Sequence, residues 1–136
     1  MRSRTLLFTM LTLFAGAFYA CEPDDGVDPT VDRSDYLGQW NGSSDGPIGG
    51  PINFAMSITA SNSSPDGIIM QNFDGYGQGT YVVASVEGGN ISIPRNIIGS
   101  DTLQGSGSYR SDGTLSFTFT IRDGQDVDQR TATATR

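Results

Sequence analysis

The sequence predicts an all-β protein: an eight-stranded up-and-down antiparallel β-barrel preceded by a signal peptide and a disordered tether. Three observations carry this. Residues 115–121, Leu-Ser-Phe-Thr-Phe-Thr-Ile, alternate apolar and hydroxyl side chains without a fault, which at period two gives one buried and one wetted face. Residues 52–60 repeat the pattern, with Ile52, Phe54, Met56, Ile58 and Ala60 on one face and Asn53, Ser57 and Thr59 on the other. Turn formers, including 18 glycines, divide the remainder into short runs, and no helical period follows residue 20. A two-sheet sandwich also fits these runs; the barrel is preferred because closure leaves no unpaired edge.

Residues 1–20 read as a leader. Met1-Arg2-Ser3-Arg4 is a short positive head, and residues 5–20 are an apolar run too short for a comfortable membrane span. The run ends at Ala20-Cys21, and Cys21 is the single cysteine of the chain. Residues 21–35 carry Asp24, Asp25, Asp28, Asp32 and Asp35 among Pro23, Gly26 and Pro29, a composition expected of a disordered acidic tether. Residues 36–136 then form one barrel domain, long enough to bury about two-thirds of its unfolded surface.

Within that domain the eight strands are expected at 36–43, 52–60, 67–73, 80–86, 90–98, 102–110, 114–122 and 128–136. A Gly/Pro loop spans 43–51, a glycine-rich loop 74–79, and Glu87-Gly88-Gly89-Asn90 marks a hairpin. Pro94 lacks an N–H and is expected at a bulge, or where no ladder donor is needed. Leu103, Gly105, Gly107 and Tyr109 share one face of the sixth strand, the glycines permitting a sharp bend.

Charge and composition narrow the function. Beyond the leader, six arginines oppose 15 acids, a net charge of −9, so nucleic acid and anionic headgroups are poor partners. There is no histidine and no lysine, and one cysteine. Ser-His-Asp and Cys-His nucleophiles and His- or Cys-based zinc sites are therefore excluded, leaving carboxylates and tyrosines for acid–base work. Neither an enzyme nor a cofactor is expected.

Several stretches resemble known families. Ala20-Cys21 at the border of the apolar run resembles a bacterial lipoprotein signal, which implies acylation of Cys21, export and a lipid anchor in the outer membrane. The acidic run behind it is similar to surface-export signals of lipoproteins from the Bacteroidota. Gly38-Gln39-Trp40 resembles the Gly-x-Trp signature of lipocalins and related calycin barrels, which implies that Trp40 plugs the closed end beneath an arginine of the last strand. Arg130 and Arg136 both have inward parity there, and antiparallel pairing with the first strand favours Arg136. The whole layout looks like a small calycin-like barrel lipoprotein of the Bacteroidota. Gly105-Ser106-Gly107-Ser108-Tyr109 is also similar to a motif of periplasmic lysozyme-inhibitor lipoproteins, whose lysine-bearing second motif is missing.

A lipocalin-like barrel would gather Asp45, Asp74, Tyr76, Asp101, Asp123 and Asp126 at its open rim. Phe54, Met56, Ile69, Phe73, Tyr109, Phe117 and Phe119 would line the bore, either around a small apolar or cationic ligand or as a filled core. With a filled core, the rim loops would instead contact protein or glycan. The carboxylates between Asp123 and Asp128 have a spacing that suits calcium, without the glutamate and glycine of an EF-hand loop.

Overall fold

The computed structural model describes residues 26–136, so the expected signal peptide and Cys21 lie outside the described residues. The chain forms β1 Gly38–Asp45, β2 Ile52–Ala60, β3 Gly67–Gln71, β4 Tyr81–Glu87, β5 Asn90–Ile98, β6 Asp101–Tyr109, β7 Leu115–Asp123 and β8 Asp126–Thr135. Each strand pairs antiparallel with the next, and β8 pairs back onto β1 to close the barrel. That closing ladder runs from Asn41 opposite Thr135 to Asp45 opposite Thr131. Connections β2–β3, β4–β5 and β6–β7 gather at one end, the base. Connections β1–β2, β3–β4, β5–β6 and β7–β8 gather at the other, the mouth.

Burial follows the alternation. In β2 the buried side chains are Phe54, Met56 and Ile58, and in β7 they are Leu115, Phe117 and Phe119. An eight-stranded barrel leaves an interior just wide enough for side chains, and here aromatics fill it. Phe73 is the central piece. It enters not from a strand but from a 3₁₀ turn, Phe73–Gly75, and packs edge-on against Phe119 at 4.9 Å, Phe117 at 5.1 Å and Phe54 at 5.9 Å. Such pairings add about 0.5–1.5 kcal/mol each beyond the area they bury. Gly107 makes room for this cluster: a Cβ there would stand 2.7 Å from the Phe117 ring. Gly105 likewise lies flat against Phe119, so packing accounts for both glycines of the Gly-Ser-Gly run.

At the base the chain departs from expectation. A single helical turn, α1 Arg33–Tyr36, stands where the tether was to end and the first strand to begin. The Asp32 N–H donates to Asp35 Oδ2 at 2.7 Å, pinning its first turn. The part of the tether within the described residues is ordered by backbone pairing that its acidic composition does not reveal. Val27 bridges Arg110, the Asp28 N–H donates to the Tyr109 carbonyl at 2.9 Å, and the Ser111 N–H donates to the Gly26 carbonyl at 2.7 Å. Val31 is buried, and the Arg33 guanidinium donates to the carbonyls of Ser61, Ser64 and Gly67. Residues 26–36 therefore form a strap across the base.

Pro94 sits in a bulge. The β5–β6 register passes from Ile93 opposite Gly105 to Asn96 opposite Leu103, leaving Pro94 and Arg95 across from Gln104. The backbone ladder between β4 and β5 covers only Ser85–Ser92 to Glu87–Asn90. Towards the mouth the Asn96 carboxamide substitutes for it, accepting from the Val83 N–H at 2.9 Å and donating to the Val83 carbonyl at 3.1 Å.

Phe73→Ala is expected to cost about 3–5 kcal/mol, because the cavity it leaves is walled by strands that cannot collapse inward. Urea denaturation measures this, and an unchanged midpoint would remove Phe73 from the core.

Candidate functional site at the barrel mouth

Above the aromatic plug lies a polar layer built on Arg130. The parity of β8 turns Asp128, Arg130, Ala132 and Ala134 inward. A cation taken out of water needs close partners to offset its desolvation, and the strand ends and loops of the mouth provide them. Arg130 Nη1 donates to Asp128 Oδ2 at 2.9 Å, and Nη2 donates to Ser44 Oγ at 2.9 Å and to the Gly50 carbonyl at 2.7 Å. Its Nε lies 3.2 Å from Asp74 Oδ2 but is not aligned for a hydrogen bond. The Ser44 hydroxyl, having accepted from Arg130, donates to Asp74 Oδ1.

The two aspartates titrate in opposite directions. Burial pushes the Asp74 carboxyl up, against the lowering pull of Ser44 and Arg130. Burial acts the same way on Asp128, but there the Gly49 and Ile48 amides, at 2.9 and 3.1 Å, and Arg130 together outweigh it and hold the carboxyl low. Asp74 is placed by a backbone in the left-handed region, φ 54°, following Asn72 at φ 61°. Such positions cost non-glycine residues energy and persist where the surroundings enforce them.

A cavity of about 330 Å³ opens over this layer. Ile48, Ile52 and Ile121 supply its apolar lining, and Asp74, Asp101, Asp123, Asp126 and Asp128 supply carboxylates around Arg130. Tyr76 also lines it and donates its hydroxyl to Asp101 Oδ2 at 2.8 Å; burial first, then Asp101, raise its phenol pKa. Five of the six rim residues singled out in the sequence thus meet at one cavity. The sixth, Asp45, is exposed and turns back onto the Gly46 N–H. Among the described residues no group of three or more His, Cys, Asp or Glu side chains is placed to hold a metal ion.

The proposed bore-lining residues are placed differently. Phe54, Met56, Phe73, Phe117 and Phe119 belong to the packed core, and none of them lines the mouth cavity. Ile69 lies on the outer face, because in the run Ile68-Ile69-Met70 it is Ile68 and Met70 that point inward. Tyr109 stands at the base, edge-on to Tyr36 at 5.3 Å and to Trp40 at 6.1 Å. Trp40 is buried there, its Nε1 donating to the Tyr36 carbonyl at 2.8 Å. The Arg136 guanidinium lies over the indole at 4.1 Å and also donates to the Leu37 and Asp35 carbonyls. Nothing in the sequence singles out Ser44; it places Asp128 only in a calcium-like spacing and Arg130 only as the alternative to Arg136 over Trp40. The inward parity of Arg130 was nonetheless a usable signal: an inward arginine requires inward acids.

No protein-family model and no curated protein sequence matches the chain. Among solved structures, the chain is similar to the Rv2717c protein of M. tuberculosis at 15% identity and a TM-score of 0.37, covering 76% of this chain and 93% of that one. It is also similar to a protein of unknown function from the DUF3598 family of Nostoc punctiforme at 13% identity and a TM-score of 0.36, covering 82% of this chain and 51% of that one. The class is therefore defined by its strand pairing: an eight-stranded, closed, antiparallel up-and-down barrel.

The Asp128 carboxyl titrates below its ordinary value of 3.8 in the fold, so it contributes stability above that pH and loses it as pH falls through the lower folded value. Asp74, raised, acts in reverse: its ionisation draws on stability as pH climbs above 3.8. Asp128→Asn is expected to melt below the parent at pH 7, with the gap narrowing below about pH 4, where the parent carboxyl protonates too. Thermal melts across pH measure this; a constant gap would show that the Asp128 charge plays no part.

Proposed function

We propose that the protein is an exported, calycin-like lipoprotein, anchored through Cys21 to the bacterial outer membrane, whose barrel mouth binds a small cationic ligand with an apolar portion. The observation that carries the binding reading is the mouth cavity itself, where five carboxylates and three isoleucines surround one arginine whose Nη groups are already held by Asp128, Ser44 and Gly50. A primary or secondary amine suits that lining: its charge meets the acids while its carbon chain lies along Ile48, Ile52 and Ile121. The packed bore limits the ligand to the mouth and favours small molecules. It also favours a second reading, in which the rim loops contact protein or glycan around a filled barrel.

The strap supports the anchored reading. Gly26 is held at the base, and a five-residue step back to Cys21 reaches on the order of 17 Å at full extension. An acylated Cys21 would hold the base near the bilayer and turn the mouth outward. Membrane-fraction mass spectrometry of the protein from its host is expected to find Cys21 acylated at the mature N-terminus, and an unmodified Cys21 would end the anchor proposal.

Calorimetry with butylamine, butanol and butyrate tests the binding. Butylamine is expected to bind and the other two not. Asp101→Asn combined with Asp126→Asn is expected to weaken it at least tenfold, whereas Asp45→Asn, outside the cavity, leaves it unchanged. Equal binding of butanol would overturn the cationic assignment.

A further inference from the structure

The outer wall just below the mouth carries charge of the opposite sign. A groove of about 300 Å³ is lined by Arg95, Thr102, Gln104, Thr120 and Arg122. Strand alternation creates the contrast: Asp101, Ile121 and Asp123 line the mouth cavity, while their neighbours Thr102 and Arg122 line the outer groove. Thr102 pairs with Arg122 and Gln104 with Thr120 across β6 and β7, so four of the five lining residues form a two-by-two block. The fifth, Arg95, comes from the β5 bulge, where it and Pro94 stand opposite Gln104. The bulge thus adds a second guanidinium to a face that already holds one.

Other arginines are committed elsewhere. Arg33 serves base carbonyls, Arg130 the mouth layer, and Arg136 the Trp40 ring. The guanidinium groups of Arg95 and Arg122 form no ion pair or hydrogen bond with any other described residue, although the chain has 15 acids. Two cations sharing one groove without a counter-charge repel each other, and an anion between them relieves that. Guanidinium groups bind oxyanions through paired N–H donors, and the Thr102 and Thr120 hydroxyls and the Gln104 carboxamide offer neutral partners beside them.

We propose that this groove is a second binding site, separate from the mouth, that takes an oxyanion (a carboxylate, sulfate or phosphate group) between Arg95 and Arg122. Where the anion is carried by a hydroxylated molecule such as an acidic sugar, the threonines and Gln104 contact the hydroxyls. Both arginines are exposed, so binding weakens as salt screens them.

Calorimetry of the full chain in low-salt buffer with sodium sulfate, glucuronate and glucose tests this. Both anions are expected to bind and glucose not, with affinity falling as sodium chloride is added. Tighter binding of glucuronate than of sulfate identifies a hydroxylated carrier, and equal binding identifies a bare oxyanion. Arg95→Gln and Arg122→Gln should each weaken binding at least tenfold, whereas Arg110→Gln, the same charge change at the base, should shift it less than twofold. Circular dichroism and thermal melts of each variant confirm folding. Absence of anion binding, or an equal loss in Arg110→Gln, would overturn the site, and neither outcome bears on amine binding at the mouth.

Discussion

The ladder between β1 and β8 turns a sheet into a cylinder, and most of the molecule answers to it. Once Asn41 faces Thr135 and Asp45 faces Thr131, the inner diameter is set by strand number, and every inward side chain must fit that width. Trp40, on the strand that closes the ring, lies at the base with Tyr36 and Tyr109. The middle receives Phe54, Phe117 and Phe119 and is completed by Phe73 from the mouth side. What remains open is a shallow bowl, not a bore.

The floor of that bowl is polar because β8 keeps its parity. Placing Arg130 inside would be costly if the guanidinium were bare, so the strand ends and the first loop of the mouth close around it. Gly50 offers a carbonyl, Ser44 a hydroxyl, and Asp128 a carboxylate that itself gathers the Ile48 and Gly49 amides. The same contacts that neutralise the arginine therefore fold the first loop over the barrel end. Asp74 is the member under tension: a second carboxylate beside a single cation, buried, with its backbone in a left-handed conformation.

Much of this was legible in the sequence. Clean alternation in 52–60 and 115–121 marked inward faces correctly, and Pro94 marked an irregularity that proved to be the β5 bulge. A lipocalin-like layout gathered six rim residues, and five of them line the mouth cavity. Legibility failed where parity was ambiguous or where the decisive partner was backbone. Ile68-Ile69-Met70 is apolar throughout, so alternation could not say that Ile69 faces out. Phe73 was read as the end of a strand because nothing in its side chain shows that Asn72 and Asp74 turn the chain left-handed. The strap was hidden because main-chain pairing, not composition, holds residues 26–28 against the β6–β7 turn.

The carboxamide of Asn96 gives the cylinder one panel of a different kind. Most of the wall is stitched by peptide groups that cannot turn without moving the chain, whereas above Ser85 the join between β4 and β5 depends on a side chain that swings about its own torsions. Releasing it exposes the Val83 amide to solvent while the rest of the ring stays intact. Local opening of the closed wall thus has a built-in starting place, beside the mouth, and deuterium from solvent would enter the ladder there first.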